Sequence, residues 1–272
     1  MTTLADQGEV AVGVTRLEYR MIGPRPDDAP TIVMLHEGLG SVTTWGDFPQ
    51  RLADATHAGV FVYSRAGYGR SSTITLPRPL DYMQREATDV LPKLLDAIGF
   101  KRGILLGHSD GGTIAAYYAG SVQDHRVRGL VLMAPHFFME ASNIDAIKKM
   151  RVAYETTDLR ARLARHHNDV DAAFRGWSEA WLDRAFMDFD TTDALAYIRV
   201  PILVVQGAAD PYGTLAQVRV VEEECYCPVE TLLLQGVGHA PHREKPDETL
   251  AAVSAFTDRI FRLHHEGAEF VS

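Results

Sequence analysis

The chain has 272 residues, 46% of them hydrophobic, and a formal net charge of −9. The length could hold one large domain or two small ones, the apolar fraction is ample for a large core, and the acidic balance argues against nucleic acid or an anionic membrane surface as partner. Two cysteines, Cys225 and Cys227, stand two positions apart, badly placed for an unstrained disulfide and too few for a zinc site. They read as free thiols of a reducing compartment.

Residues 1–9 carry neither the basic region nor the apolar stretch of a secretory signal, and no apolar run approaches membrane-spanning length. The expected location is cytoplasmic. Val10 to Ile22 alternates like one or two antiparallel edge strands, and residues 23–28 form a Gly/Pro/Asp-rich connector. Thr31-Ile32-Val33-Met34-Leu35 reads as a strand, followed by the loop His36-Glu37-Gly38-Leu39-Gly40-Ser41. A helix is expected around Trp45 to Ala53, then a buried strand at Val60-Phe61-Val62-Tyr63. Pro79 to Ile98 reads as a helix that Pro92 should kink or split. Gly103 to Leu106 and Gly129 to Ala134 are further buried strands, with a helical stretch, Thr113 to Ala119, between them.

From His136 to Ile198 no convincing strand is visible; helix formers alternate with charges and with Phe174, Trp177, Trp181, Phe186 and Phe189. Trp177 and Trp181 are four apart and share a helix face, where they either pack the segment down or line a pocket. The adjacent pairs His166-His167 and His264-His265 diverge on a helix and read as solvated. Pro201 to Val205 is a continuous β-branched strand, Val229 to Leu234 another, and Pro246 to Phe261 a closing helix; the tail from His264 reads as loose. Strands alternating with helices argue for one α/β domain on a mostly parallel sheet.

The chemistry is concentrated at strand ends. Leu106-Gly107-His108-Ser109-Asp110-Gly111-Gly112 places Gly-x-Ser-x-Gly between a strand and a helix. Such a turn strains the serine backbone and lifts its Oγ above the sheet, and small neighbours let strand and helix nearly touch. The other reading is a glycine-rich turn whose Ser109 caps the helix. A serine nucleophile needs a base, an acid to orient the base and donors for an oxyanion. His239, in Gly236-Val237-Gly238-His239, follows a strand and is the candidate base, with His242 its local competitor. Asp210 lies just past the strand ending at Val205 and is the candidate acid; Glu140 and Asp145 are the alternatives after the preceding strand. The expected oxyanion donors are the N–H groups of Asp110 and Gly38, with Leu39 the alternative to Gly38. His36 reads as a loop brace.

These residues carry a resemblance. His36-Glu37-Gly38-Leu39-Gly40, Ser64-Arg65-Ala66-Gly67-Tyr68-Gly69-Arg70-Ser71, Gly107-His108-Ser109-Asp110-Gly111-Gly112, Gly207-Ala208-Ala209-Asp210 and Gly238-His239 with Glu244-Lys245-Pro246 occur in one order. From about Thr15 to Phe261 the chain resembles the α/β-hydrolase superfamily, in its lid-bearing carboxylesterase and C–C hydrolase group. The resemblance implies an α/β-hydrolase fold with core residues 1–135 and 199–272, and a helical lid, residues 136–198, inserted after the sixth strand. It departs from the pattern at Glu37, where glycine is commoner, and at Ser64, where aspartate is commoner. Glu37 sets a carboxylate at the mouth of the site, which should disfavour anionic substrates.

The resulting expectation is a serine hydrolase cleaving a small or medium, mostly apolar ester with Ser109, His239 and Asp210. It needs no metal and no organic cofactor. Leu39, Phe137, Phe138, Trp177 and Trp181 are the expected pocket residues. The expected partner is a small-molecule ester, with no nucleic acid and no membrane; a homodimer is compatible with the sequence. The rivals are a lactonase, a C–C bond hydrolase and a non-catalytic ligand receptor on the same scaffold. Ala240 and His108 stand where C–C hydrolases carry an aromatic residue and an asparagine, and Ser109 stands where dehalogenases and epoxide hydrolases carry an aspartate.

Overall fold

The computed structural model describes residues 4–265. The expectations for the first three residues and for the tail beyond 265 lie outside them, as do the side chains of the His264-His265 pair.

Among the described residues eight strands form one sheet. They are β1 (Gln7–Val12), β2 (Thr15–Ile22), β3 (Thr31–Leu35), β4 (Gly59–Tyr63), β5 (Gly103–His108), β6 (Val127–Met133), β7 (Ile202–Gly207) and β8 (Val229–Leu234). Their spatial order is β1-β2-β4-β3-β5-β6-β7-β8. β1 pairs with β2 and β2 with β4 antiparallel; every later pairing is parallel. Strands covered on both faces must be apolar throughout, and β3, β4, β5 and β7 are buried at every position. β8 is an edge strand, with its outer face largely exposed.

Because side chains alternate along a strand, neighbours in sequence serve opposite faces. Ile32 and Met34 join Val60, Val62, Ile104 and Leu106 on one side of the sheet. Val33 and Leu35 join Phe61, Tyr63 and Leu105 on the other. The helices are α1 (Phe48–Thr56), α2 (Tyr82–Arg85), α3 (Leu91–Ala97), α4 (Asp110–Ser121), α5 (Ala141–Thr156), α6 (Leu159–Leu163), α7 (Val170–Leu182), α8 (Ala216–Glu224), α9 (Pro241–Glu244) and α10 (Pro246–His265). α1 and α10 close the first face, with Phe48, Leu52, Val253, Phe256 and Ile260. α3, α4 and α8 close the second, with Leu91, Leu94, Ile114, Tyr118 and Val221.

The split expected at Pro92 is a π turn, Glu86–Val90, between α2 and α3. Proline then falls in the first turn of α3, where its missing N–H costs nothing. The helix expected around Trp45 is interrupted at Gly46 (φ 63°), between a 3-10 turn and α1.

Between β6 and β7 lies a helical insertion of α5, α6, α7 and two 3-10 turns. Among the described residues its one strand-like contact is an isolated bridge between Phe138 and Asp190. Registry aligns the carboxyl ends of the strands: Leu35 opposes Gly107, His108 opposes Met133, Met133 opposes Val205, and Gly207 opposes Leu234. The chain leaves β3 toward β4 and returns to the other side of β3 as β5. That reversal of direction opens a crevice above β3 and β5, where ligands of such sheets bind.

Candidate active site

Ser109 follows β5 directly and has φ 52° and ψ −120°, outside the region that L-residues prefer. Backbone bonds hold it there. Its N–H donates to Met133 O at 2.8 Å, and its carbonyl accepts from Gly112 N at 2.8 Å and Thr113 N at 3.1 Å. The turn is possible because α4 begins against the end of β3: a Cβ at Gly111 would stand 2.0 Å from Leu35 O. Asp110 opens α4, so its N–H has no intrahelical acceptor. Gly38 N likewise has no acceptor among the described residues, and both residues line the cavity that contains Ser109. A Cβ on Gly38 would collide with Trp177 Nε1 at 2.2 Å, so any side chain here must displace the loop or the indole above it.

His239 and Asp210 are brought together from the loops after β8 and β7. His239 Nδ1 lies 2.8 Å from Asp210 Oδ2. The Asp210 side chain is fully buried and also accepts from Gln206 Nε2 at 2.9 Å and Tyr212 N at 2.8 Å. Burial alone would raise its pKa, but the bonds from His239 and Tyr212 outweigh it and hold the carboxyl at about 2. The His239 loop is clamped by Glu244, whose carboxylate accepts from Gly238 N at 2.7 Å and Ala240 N at 3.1 Å, one residue to each side of His239. Sequence alone assigns Glu244 no role; its place in the Glu244-Lys245-Pro246 motif is the signal that could have found it. Ser109 and His239 line one cavity; among the described residues no hydrogen bond joins Ser109 Oγ to the imidazole.

The alternatives fall elsewhere. His242 is buried under the site, its ring 4.8 Å from Trp45 and 5.0 Å from His108, and it does not line the cavity. Glu140 binds Thr214 and Gln217, and Asp145 is exposed on α5. His36 braces the loop: its Nε2 accepts Arg65 N at 3.0 Å, while the Arg65 guanidinium donates to His36 O.

The cavity measures about 470 Å³, within the range of small-molecule sites. Leu39, Trp177 and Trp181 line it, with Ile147, Met150 and Leu163 from the insertion. Both tryptophans are also buried, so they pack and line at once. Trp181 Nε1 donates to Tyr82 Oη at 2.9 Å, and Tyr82 donates to Asp110 Oδ2 at 2.5 Å. Asp110 and Arg65 are both buried, 3.7 Å apart; burial pushes the Asp110 carboxyl up against the pull of Arg65 and Tyr82.

Three expectations need correction. Phe137 and Phe138 do not line the cavity. The chain turns down after β6, and Phe137 is buried in the core with its N–H on Gln217 Oε1 and its carbonyl on Thr191 N. His167 is not solvated: its Nδ1 accepts Gly69 N at 3.0 Å and its Nε2 donates to Leu39 O at 3.0 Å, tying the insertion to the body. Glu37 is not a free carboxylate. His108 Nδ1 stands 3.6 Å and Arg243 3.7 Å from its oxygens, and Arg162 also lines the cavity. Burial would raise the Glu37 pKa, but those two neighbours hold it well below the carboxylate range.

Among the described residues no cluster of His, Cys, Asp and Glu has the arrangement of a metal site, and no helix is long and apolar enough to cross a membrane.

The chain is 24% identical over 282 aligned residues to a proline iminopeptidase of Lactobacillus helveticus, covering 89% of this chain and 94% of that one. Among solved structures it resembles the enol-lactonase of Burkholderia xenovorans, with a TM-score of 0.70 and 22% identity over 92% of this chain and 99% of that one. It also resembles a thermophilic esterase of Thermogutta terrifontis, with a TM-score of 0.72 and 18% identity over 94% and 100%. Residues 32–253 match the model of the alpha/beta hydrolase family. With the serine turn, the sheet order and this match over most of its length, the chain belongs to the alpha/beta hydrolase family.

Proposed function

We propose that the protein hydrolyses a small or medium carboxylic ester through an acyl-enzyme. Ser109 Oγ attacks the acyl carbon, and His239 accepts its proton. Asp210 keeps the His239 proton on Nδ1 and stabilises the imidazolium that forms. The N–H groups of Asp110 and Gly38 receive the oxyanion. His239 then protonates the leaving alcohol and activates a water that releases the acid. The insertion acts as a lid: its apolar wall keeps water from the site and sets the length of the acyl or alcohol group accepted.

The observation that carries this reading is the 2.8 Å contact between His239 and Asp210, at the edge of the cavity that also holds the strained Ser109 and two open N–H groups. An ester or lactone suits the cavity better than a peptide with a free amino terminus. Among the described residues the carboxylates lining it are Glu37 and Asp110, and each already has a cationic neighbour, so neither is left to receive an ammonium group.

A p-nitrophenyl ester of a short acid tests the reading. The wild type should release p-nitrophenol, Ser109→Ala should lose about three decades or more of kcat, and a fluorophosphonate should label Ser109 alone. Labelling of Ser64 instead, or an unchanged Ser109→Ala rate, would defeat it. Binding without turnover, with Ser109 unlabelled, would favour the ligand receptor.

A further inference from the structure

His136 is the third residue after β6, and nothing in the ester mechanism uses it. Its side chain is buried, yet it lines the cavity. Its ring stacks on the His239 ring, with centroids 5.5 Å apart and planes at 26°.

The protonation of this ring can be read from its neighbour. Asn143 Oδ1 accepts Glu140 N at 2.8 Å, and Asn143 Nδ2 donates to Tyr212 O at 2.5 Å. One backbone donor and one backbone acceptor therefore fix the amide orientation. The same Nδ2 faces His136 Nδ1 at 3.3 Å, so Nδ1 is the acceptor and carries no proton. Burial and the neighbouring His239 also push the His136 pKa down to about 3, so the ring is neutral. The proton is on Nε2. That N–H has no protein acceptor among the described residues and is open to the cavity that His136 lines.

We propose that His136 is a substrate-binding residue whose Nε2–H donates to an oxygen of the substrate other than the scissile carbonyl. The substrate class is an ester or lactone with a second oxygen acceptor, such as a keto, ether or hydroxyl group, near the bond that breaks. This rests on the hydrolase reading above. Three features fit the role. Asn143 holds the ring in one tautomer, so the donor is preorganised. A neutral ring does not oppose the imidazolium that forms on His239 beside it. An all-carbon substrate leaves a buried N–H unpaired, and a site built to bond an oxygen discriminates strongly against the analogue that lacks it.

Two pairs of esters isolate this oxygen. p-Nitrophenyl methoxyacetate and p-nitrophenyl butyrate differ by an oxygen in place of a methylene on the acyl side; 2-methoxyethyl acetate and butyl acetate do so on the alcohol side. Each kcat/KM is divided by the ester's own alkaline hydrolysis rate. The wild type should favour the oxygen-bearing member of at least one pair by roughly ten-fold or more. In His136→Phe that ratio should fall toward one, and in His136→Gln, which keeps an N–H donor, it should be partly restored. No preference in either pair, or a preference that survives in His136→Phe, overturns the proposal. Circular dichroism checks the variants. Should they not fold, nitrogen NMR of ring-labelled wild type decides: a proton on His136 Nδ1, or a ring that charges above pH 5, overturns it. If none of the four esters is cleaved while a fluorophosphonate still labels Ser109, the His136 proposal alone fails. If Ser109 is also unlabelled, the hydrolase reading fails and takes this one with it.

Discussion

Trp181 Nε1 donates to Tyr82 Oη at 2.9 Å, joining α7 of the insertion to α2 of the body across 99 positions of sequence. Tyr82 passes the link on to Asp110, the residue next to Ser109. The wall of the cavity and the turn beneath it are thus one buried hydrogen-bonded unit.

Removing the middle of that unit is informative. Tyr82→Phe leaves the indole N–H and one carboxylate oxygen of Asp110 unpaired in the interior. Stability should fall by about 1–3 kcal/mol, read as an earlier urea midpoint at unchanged slope. Activity on esters should fall more than KM rises, because the Asp110 N–H is displaced rather than the pocket. A variant as stable and active as wild type would show that the chain of bonds carries no energy.

Asp210→Asn should be severe. An amide can offer its N–H to His239 Nδ1, which stabilises the tautomer with the proton on Nε2, the wrong one for a base. A loss of about three to four decades in kcat is expected with the fold intact. A loss under ten-fold would move the acid role to another carboxylate.

Gly38→Ala tests the fit between the Gly38 loop and α7. The added methyl would stand 2.2 Å from Trp177 Nε1, so loop or indole must move. kcat should drop by about ten-fold or more if the Gly38 N–H receives the oxyanion. Gly38→Ala combined with Trp177→Ala should recover part of it, since the clash partner is gone. Equal defects in the single and double variants would count against steric displacement as the cause.

Buried histidines set the pH dependence of stability. His36, His136, His167 and His242 all have pKa values pushed below the ordinary 6.5, chiefly by burial. Below pH 6.5 the unfolded chain protonates these rings while the folded chain does not. The unfolded state then binds more protons, so stability falls as pH falls. For His136 the window runs from 6.5 down to about 3. Each such ring contributes up to about 1.4 kcal/mol per pH unit. Urea unfolding at pH 7.5 and 5.5 should show a clear loss at the lower value, and His136→Phe should reduce it. Equal midpoints at both pH values would mean these rings charge within the fold.

The parts of the site legible in the sequence are those that local pattern controls. Ser109 is marked by glycines that a strand-to-helix turn needs, and Asp210 and His239 by the apolar strands that end just before them. The places of β3, β5 and β7 likewise follow from continuous apolar runs. What the tertiary structure decided depends on partners far along the chain. His167 reads as one of two solvated neighbours until Gly69 and Leu39, about 100 and 128 positions away, take both its nitrogens. Glu37 reads as a free charge until His108 and Arg243 stand beside it. Phe137 reads as a pocket wall until the turn after β6 buries it. His136 reads as part of a helical segment until Asn143, itself held by Tyr212 O, fixes its tautomer. The physical reason is the same in each case. A strand or a tight turn is set by the steric preferences of adjacent residues, whereas charge, tautomer and burial are set by whichever distant groups the fold packs against them.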